Sequence, residues 1–171
     1  GDDRAMVAAR RRFLGAGFYR IFSDALNRLA ERCLPDGPAA VLDAGCGEGY
    51  YTGRLLDFLA ARGKRAGLYG FDISKYAVRL AAKRYPAISF AVGSMFGIPF
   101  LSGAADLAVN VFAPIVPAEL SRVLRPGGAL ILAVPGPRHL YGLKKILYDA
   151  PYENERRDVD YPGFRFEGRS F

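Results

Sequence analysis

The chain has no tryptophan, one histidine, two methionines and two cysteines. Cys33 and Cys46 form no CxxC pair, and two isolated cysteines do not suggest a disulfide framework. With His139 as the lone histidine they do not make an ordinary zinc site, so no metal is expected. No apolar run approaches the ~20 residues of a membrane span, and no signal peptide is visible. A soluble cytoplasmic protein without membrane attachment is the default expectation.

What is present is a globular composition. Apolar residues make up 51%, which excludes a disordered chain, and 171 residues fit one domain with a full hydrophobic core. Lys and Arg number 24 against 17 acids, a net charge of +7 and a pI near 9.6. Such a balance suits a polyanionic partner, and equally suits a merely solvated basic surface.

Apolar spacing predicts a helical lead-in over 1–38, with helices at 4–14 and 18–33 broken by Gly15-Ala16-Gly17. Strands then follow at 39–44, 66–71, 88–92, 106–111 and 129–134. Helices fall at 50–62, 75–84, 117–124 and 138–148. Arg125-Pro126-Gly127-Gly128 reads as a tight turn before the fifth strand. Val-, Leu- and Ile-rich strands alternating with helices predict an α/β fold with a doubly wound, mostly parallel sheet over 39–171. A complete sheet of this kind needs two more strands. Gly163–Phe171 is expected to begin the sixth, and the domain reads as incomplete at its C-terminus.

The most informative stretch is Val41-Leu42-Asp43-Ala44-Gly45-Cys46-Gly47-Glu48-Gly49. It is a strand end, a glycine turn and a helix start, an arrangement that presents backbone N–H groups and a helix N-terminus to a ligand. A dinucleotide fingerprint, Gly-x-Gly-x-x-Gly, puts its third glycine at position 50. Tyr50 stands there, which speaks against an NAD-linked oxidoreductase. The third glycine is Gly49, one residue early, and Asp43 precedes the first by two.

Other candidates follow the later strands. Asp72 ends the second, where an acid accepts hydrogen bonds from ribose hydroxyls; Ser74 is the better-placed helix N-cap. Glu48 either faces a ligand's ammonium or favours the helix dipole. Asp43 is expected to accept N–H bonds in the turn, or a water. Cys46 reads as a small apolar filler. Ser94 and Met95, after strand three, either meet an adenine or form an ordinary polar turn. Asn110-Val111-Phe112-Ala113-Pro114 follows strand four. Many amino-methylating enzymes of nucleic acids carry Asn/Asp-Pro-Pro-Tyr there. The departure argues against N6-adenine chemistry and is compatible with a ring-nitrogen acceptor.

The Asp-x-Gly-x-Gly-x-Gly turn resembles the S-adenosylmethionine site of class I methyltransferases, which share a Rossmann-like fold. The likeness narrows along the chain. Gly45–Thr52 (GCGEGYYT), Phe71–Lys75 (FDISK), Ala81–Pro86 (AAKRYP) and above all Pro135–Leu140 (PGPRHL) resemble the bacterial 23S ribosomal RNA guanine-N1 methyltransferases. The resemblance runs from Gly1 to about Asn154. It implies S-adenosylmethionine as methyl donor, S-adenosylhomocysteine as product and a 23S RNA hairpin as partner. It further implies that Tyr19, the Gly47-Glu48 pair and His139 touch the cofactor; Asp43, through the turn or a water, and Gly45, Gly49, Asp72, Ser94, Met95 and Asn110 complete the candidate cofactor-binding set. No catalytic base is identified. Members of that family carry a cysteine-rich zinc module ahead of this region, so the chain reads as a fragment. Its unpaired sheet edge is expected to be covered by homodimerisation or left beside a disordered tail. A small-molecule methyltransferase and a cofactor-binding fragment without activity are the alternatives.

Overall fold

The computed structural model describes residues 4–136 and 161–169. Its elements are α1 (Arg4–Gly15), α2 (Arg20–Cys33), β1 (Ala39–Ala44), α3 (Tyr50–Ala61) and β2 (Ala66–Asp72). They continue with α4 (Lys75–Arg84), β3 (Ser89–Val92), β4 (Ala105–Val111), α5 (Pro117–Val123) and β5 (Leu124–Ala133). The strands lie in the order β3-β2-β1-β4-β5. β1 pairs in parallel with β2, Val41 opposite Leu68, and with β4, Val41 opposite Leu107. β2 pairs in parallel with β3, Phe71 opposite Ala91.

This order reverses between β1 and β4: from β1 the chain winds outward to β2 and β3, then returns to the far side of β1. The carboxyl ends of β1 and β4 therefore flank a topological switch point, where ligands bind in open α/β sheets. The glycine turn leaves β1 at that point.

The central strands are buried because most of their residues are apolar. Val41, Leu42, Phe71, Leu107, Ala108 and Val109 are at most 2% exposed, as expected for strands covered on both faces. Leu55 and Leu59 of α3, Ala77, Val78 and Ala81 of α4, and Leu120 and Val123 of α5 complete the core. α4 starts at the expected N-cap, where Ser74 Oγ accepts the Ala77 N–H at 3.1 Å. α2 starts two residues later than its apolar spacing predicts, because Gly17 turns the chain at φ +86° and Tyr19 occupies the N-cap.

β5 begins earlier than expected. The Arg125–Gly128 stretch is not a separate turn ahead of the strand but part of it, with only Gly127 at positive φ (+76°). Asp106 explains the alignment. Its Oδ1 binds the Arg125 guanidinium and its Oδ2 accepts the Ala40 N–H at 2.7 Å. One carboxylate thus fastens the start of β1 and the start of β5 beside β4.

The chain forms two compact units, Gly1–Leu132 and Ala133–Phe171. The helical lead-in falls inside the first unit with the sheet, so no boundary appears near residue 38. In the second, residues 161–169 hold a turn closed by Phe164 N–H to Tyr161 O at 3.0 Å. No strand forms there, which corrects the expectation of a sixth strand opening at Gly163: a strand requires a ladder partner, and the described residues give this segment none. The helix expected over 138–148, and His139 with it, lies outside the described residues.

Candidate functional site

Backbone geometry dictates the glycines of the turn. Gly45, Gly47 and Gly49 all have φ between +56° and +84°, a region that L side chains rarely adopt. A Cβ on Gly45 would also lie 2.5 Å from the Ala113 Cβ beyond β4. Gly45 is therefore needed twice, for its φ and for the approach of the two strand ends at the switch point. Gly47 differs, since a Cβ there would meet nothing within 4 Å. Its outer side is open space of the kind a ligand approaching the backbone requires.

Asp72 locks the turn. Its Oδ2 accepts the Gly47 N–H at 2.9 Å and its Oδ1 accepts the Ser74 N–H at 2.9 Å. Phe71 O accepts the N–H groups of Gly45 and Cys46 at 2.9 and 3.0 Å, so β2 grips the turn along its first half. A carboxylate offers about four lone-pair positions. Two are used, which leaves one on each oxygen for a pair of vicinal hydroxyls.

Asp43 is buried, and its partner is neither of those expected: the Thr52 hydroxyl, in the first turn of α3, donates to Oδ2 at 2.5 Å. Burial lifts the Asp43 carboxyl to about 6; the Thr52 bond opposes this, Asp72 adds to it and Arg10 opposes it. Glu48 is buried too. Its Oε2 lies 3.7 Å from the Arg84 guanidinium at the end of α4, yet accepts no hydrogen bond among the described residues. Burial raises its pKa, and Arg84, then Arg11 and Arg10, pull it back. Cys46 is buried, with Sγ 3.6 Å from Gly47 O. Burial pushes its thiol well above the usual range, so it is an inert filler.

On the other side of the switch point, Asn110 is fully buried. Its Nδ2 donates to Pro114 O at 2.9 Å, while Oδ1 has no partner among the described residues. An orphaned buried acceptor calls for a reason. Phe112 sits at φ +55°, the one non-glycine residue with positive φ among those described. Such outliers cluster at functional sites. Tyr19 reaches this strand end, meeting Phe112 edge-on with ring centroids 6.2 Å apart.

Ser94 and Met95 follow β3 at the same edge of the sheet. Ser94 Oγ accepts the Phe96 N–H at 3.2 Å and Met95 is buried. Hydrogen bonds thus tie Gly45 and Gly47 to the end of β2 through Phe71 and Asp72, and Asp43 to Thr52 of α3, while Tyr19 meets Phe112 beside Asn110. Among the described residues no group of three or more His, Cys, Asp or Glu side chains is placed to hold a metal, and no helix is long and apolar enough to cross a membrane.

Sequence reasoning missed Thr52, Arg84 and Phe112 as members of this neighbourhood. Thr52 lies inside the GCGEGYYT stretch, but its partner depended on the α3 register. Arg84 reaches Glu48 from the far end of α4, a contact that no local pattern signals.

A family described as "Methyltransferase domain" matches residues 41–128, which contain the turn, Asp72, Ser94, Met95 and Asn110. The chain belongs to the methyltransferase domain family. Tyr19 and His139 lie outside the matched span. The chain is 41% identical over 149 residues to the 23S rRNA (guanine(748)-N(1))-methyltransferase of Streptomyces fradiae, covering 85% of this chain and 51% of that protein. It is 40% identical over 157 residues to a Micromonospora griseorubida protein named for 23S rRNA guanine-N1 methylation, covering 84% and 52%. The chain thus spans about half the length of the curated relatives it matches. A solved structure from Methanococcus maripaludis, named for S-adenosyl-L-methionine-dependent methyl transfer, superposes with a TM-score of 0.65 at 18% identity over 86% of this chain and 71% of that one. At that identity the likeness concerns the fold, and the methyltransferase domain here shares it.

Proposed function

We propose that this methyltransferase domain binds S-adenosylmethionine along Gly45–Gly49 and serves methyl transfer to N1 of a guanine in 23S ribosomal RNA. The observation that carries the cofactor reading is the open side of Gly47 beside an Asp72 carboxylate with one lone pair free on each oxygen. A ribose with two vicinal hydroxyls fits that pair of acceptors. The cradle fits the cofactor on its own geometry.

The chain's residues divide the work of positioning. Gly45 and Gly49 shape the turn, and the Gly47-Glu48 backbone borders the methionine portion, since the Glu48 side chain turns inward to Arg84. Asp43 sets negative charge under the turn at neutral pH, above its pKa of about 6. Ser94 and Met95 border the adenine, and Asn110 Oδ1 is an acceptor at the transfer end. Tyr19 and His139 enter through the likeness to the guanine-N1 enzymes. The bound sulfonium supplies an already activated methyl group. As the N1–C bond forms and the sulfonium C–S bond breaks, N1 gives up its proton to solvent or a base, and the chain's remaining task is to hold that nitrogen in line at near-attack distance.

The RNA reading is supported by the names of the two curated relatives and by the +7 charge. A hairpin loop offers an unstacked base, which an N1 acceptor requires. The test is label transfer from methyl-tritiated S-adenosylmethionine to an unmodified 23S hairpin, with the same hairpin already methylated at N1 as control. Transfer to the first and not the second is expected. Equal labelling of both would refute N1 as the acceptor.

A further inference from the structure

Five aromatic side chains run in contact from the surface of the lead-in to the end of β4. Phe18 stacks on Phe13, centroids 5.2 Å apart and planes 23° from parallel. Phe13 meets Tyr19 edge-on at 5.7 Å, Tyr19 meets Phe112 at 6.2 Å, and Phe112 stacks on Phe22 at 5.7 Å. The residue after Phe112 is Ala113, which crowds the Gly45 position of the glycine turn. The inner end of this file therefore lies at the switch point.

The outer end is open. Phe18 is 72% exposed and Phe13 46%. The Ala16-Gly17 break, with Gly17 at φ +86°, turns the chain so that two phenyl rings stack at the surface. Stacked aromatic surface left in water marks an interaction site when polar groups rim it. Here the sequence neighbours are cationic. Arg11, Arg12 and Arg20 are exposed, and none forms an ion pair among the described residues. Protein interfaces are depleted of charge at their centres. Exposed aromatic rings with arginines close by in sequence, none of them in an ion pair among the described residues, instead match an unpaired nucleic-acid strand, with bases on rings and phosphates on guanidinium groups.

We propose that Phe18, backed by Phe13, is a stacking platform for an unpaired base of the RNA, and that the ring file leads from it to the methyl-transfer site. This rests on the RNA reading above. Phe18 is a positioning residue for the strand that carries the target base, without contact to the methyl donor.

The experiment uses two substitutions. The chain has no tryptophan, so in Phe18→Trp the indole fluorescence reports on this position alone. A single-stranded oligonucleotide of the hairpin loop sequence is expected to quench that fluorescence, and a fully paired RNA duplex is not. Phe18→Ala is expected to weaken oligonucleotide binding and raise the KM for the hairpin by at least about tenfold. Its Kd for S-adenosylhomocysteine and its melting temperature stay at wild-type values, and Phe18→Trp keeps the wild-type KM. Wild-type oligonucleotide affinity in folded Phe18→Ala would overturn the proposal. So would equal quenching by duplex, or quenching by anionic lipid vesicles and not by RNA. Wild-type protein that binds the oligonucleotide through Phe18 but methylates no RNA would refute the guanine-N1 reading and leave the platform standing.

Discussion

The Asp72 carboxylate accepts the Gly47 backbone N–H at 2.9 Å. A residue expected from its position to bind a ribose also holds the turn that would bind the rest of the cofactor. The two roles are coupled, because the bond to Gly47 fixes where the free lone pairs of Asp72 point. The carboxylate proposed to contact the ligand would thus also preorganise the site.

The contribution of Asp43 to stability should fall with rising pH between about 4 and 6. Unfolded Asp43 titrates near the usual 3.9, whereas burial lifts the folded carboxyl to about 6. In that window the folded chain holds a proton that the unfolded chain has released, so each step up in pH favours unfolding. The full displacement corresponds to roughly 3 kcal/mol. Asp43→Asn, which keeps an acceptor for Thr52, should flatten most of this slope; Glu48, raised in the same direction, leaves a remainder. Urea unfolding at several pH values checks it. Identical slopes for wild type and Asp43→Asn would show that Asp43 is not the group responsible.

Gly45 and Gly63 separate backbone strain from crowding. Both have positive φ, but a Cβ at Gly63 meets nothing within 4 Å, while at Gly45 it would meet the Ala113 Cβ at 2.5 Å. Gly63→Ala should cost about 1–2 kcal/mol from conformation alone. Gly45→Ala should cost about 2–4 kcal/mol, since a packing clash adds to it. Chemical denaturation of both variants gives the comparison. Equal losses would mean that the two strand ends relax apart freely.

RNA binding should weaken steeply with salt. The charge of +7 and the exposed Arg11, Arg12 and Arg20, none of which forms an ion pair among the described residues, favour phosphate contacts, each of which releases counterions. Replacing these three arginines with glutamine should lower the slope of log K against log salt by up to about 2, at ~0.7 per phosphate contact on single strands. Fluorescence anisotropy with a labelled hairpin at several salt concentrations measures it. An unchanged slope would place the phosphates elsewhere on the protein.

The sequence revealed the features that depend on short-range pattern. Buried β1 and β4 are mostly apolar runs, Ser74 precedes a helix by the right spacing, and the glycine turn announces its own φ values. What it hid depends on distant partners. Glu48 reads locally as a helix-start acid, and its burial against Arg84 arises only when α4 packs beside α3. Arg125–Gly128 has turn composition, but Asp106 of the neighbouring strand holds it in β5. The strain at Phe112 was invisible because no residue type signals it. The aromatic file was hidden for the same reason, since Tyr19, which carries Phe13 and Phe18 behind it, meets Phe112 only through the fold.

The most direct test of the account is titration calorimetry of S-adenosylhomocysteine into the wild-type chain and into Asp72→Ala. The substitution removes the proposed ribose acceptor and the bond that holds Gly47 at once. Each charge-assisted bond is worth roughly 1.5–3 kcal/mol, so affinity should fall at least about tenfold, the equivalent of ~1.4 kcal/mol. NAD should bind neither protein, since Tyr50 stands where its fingerprint needs glycine. Wild-type affinity for S-adenosylhomocysteine in a folded Asp72→Ala variant would contradict the account.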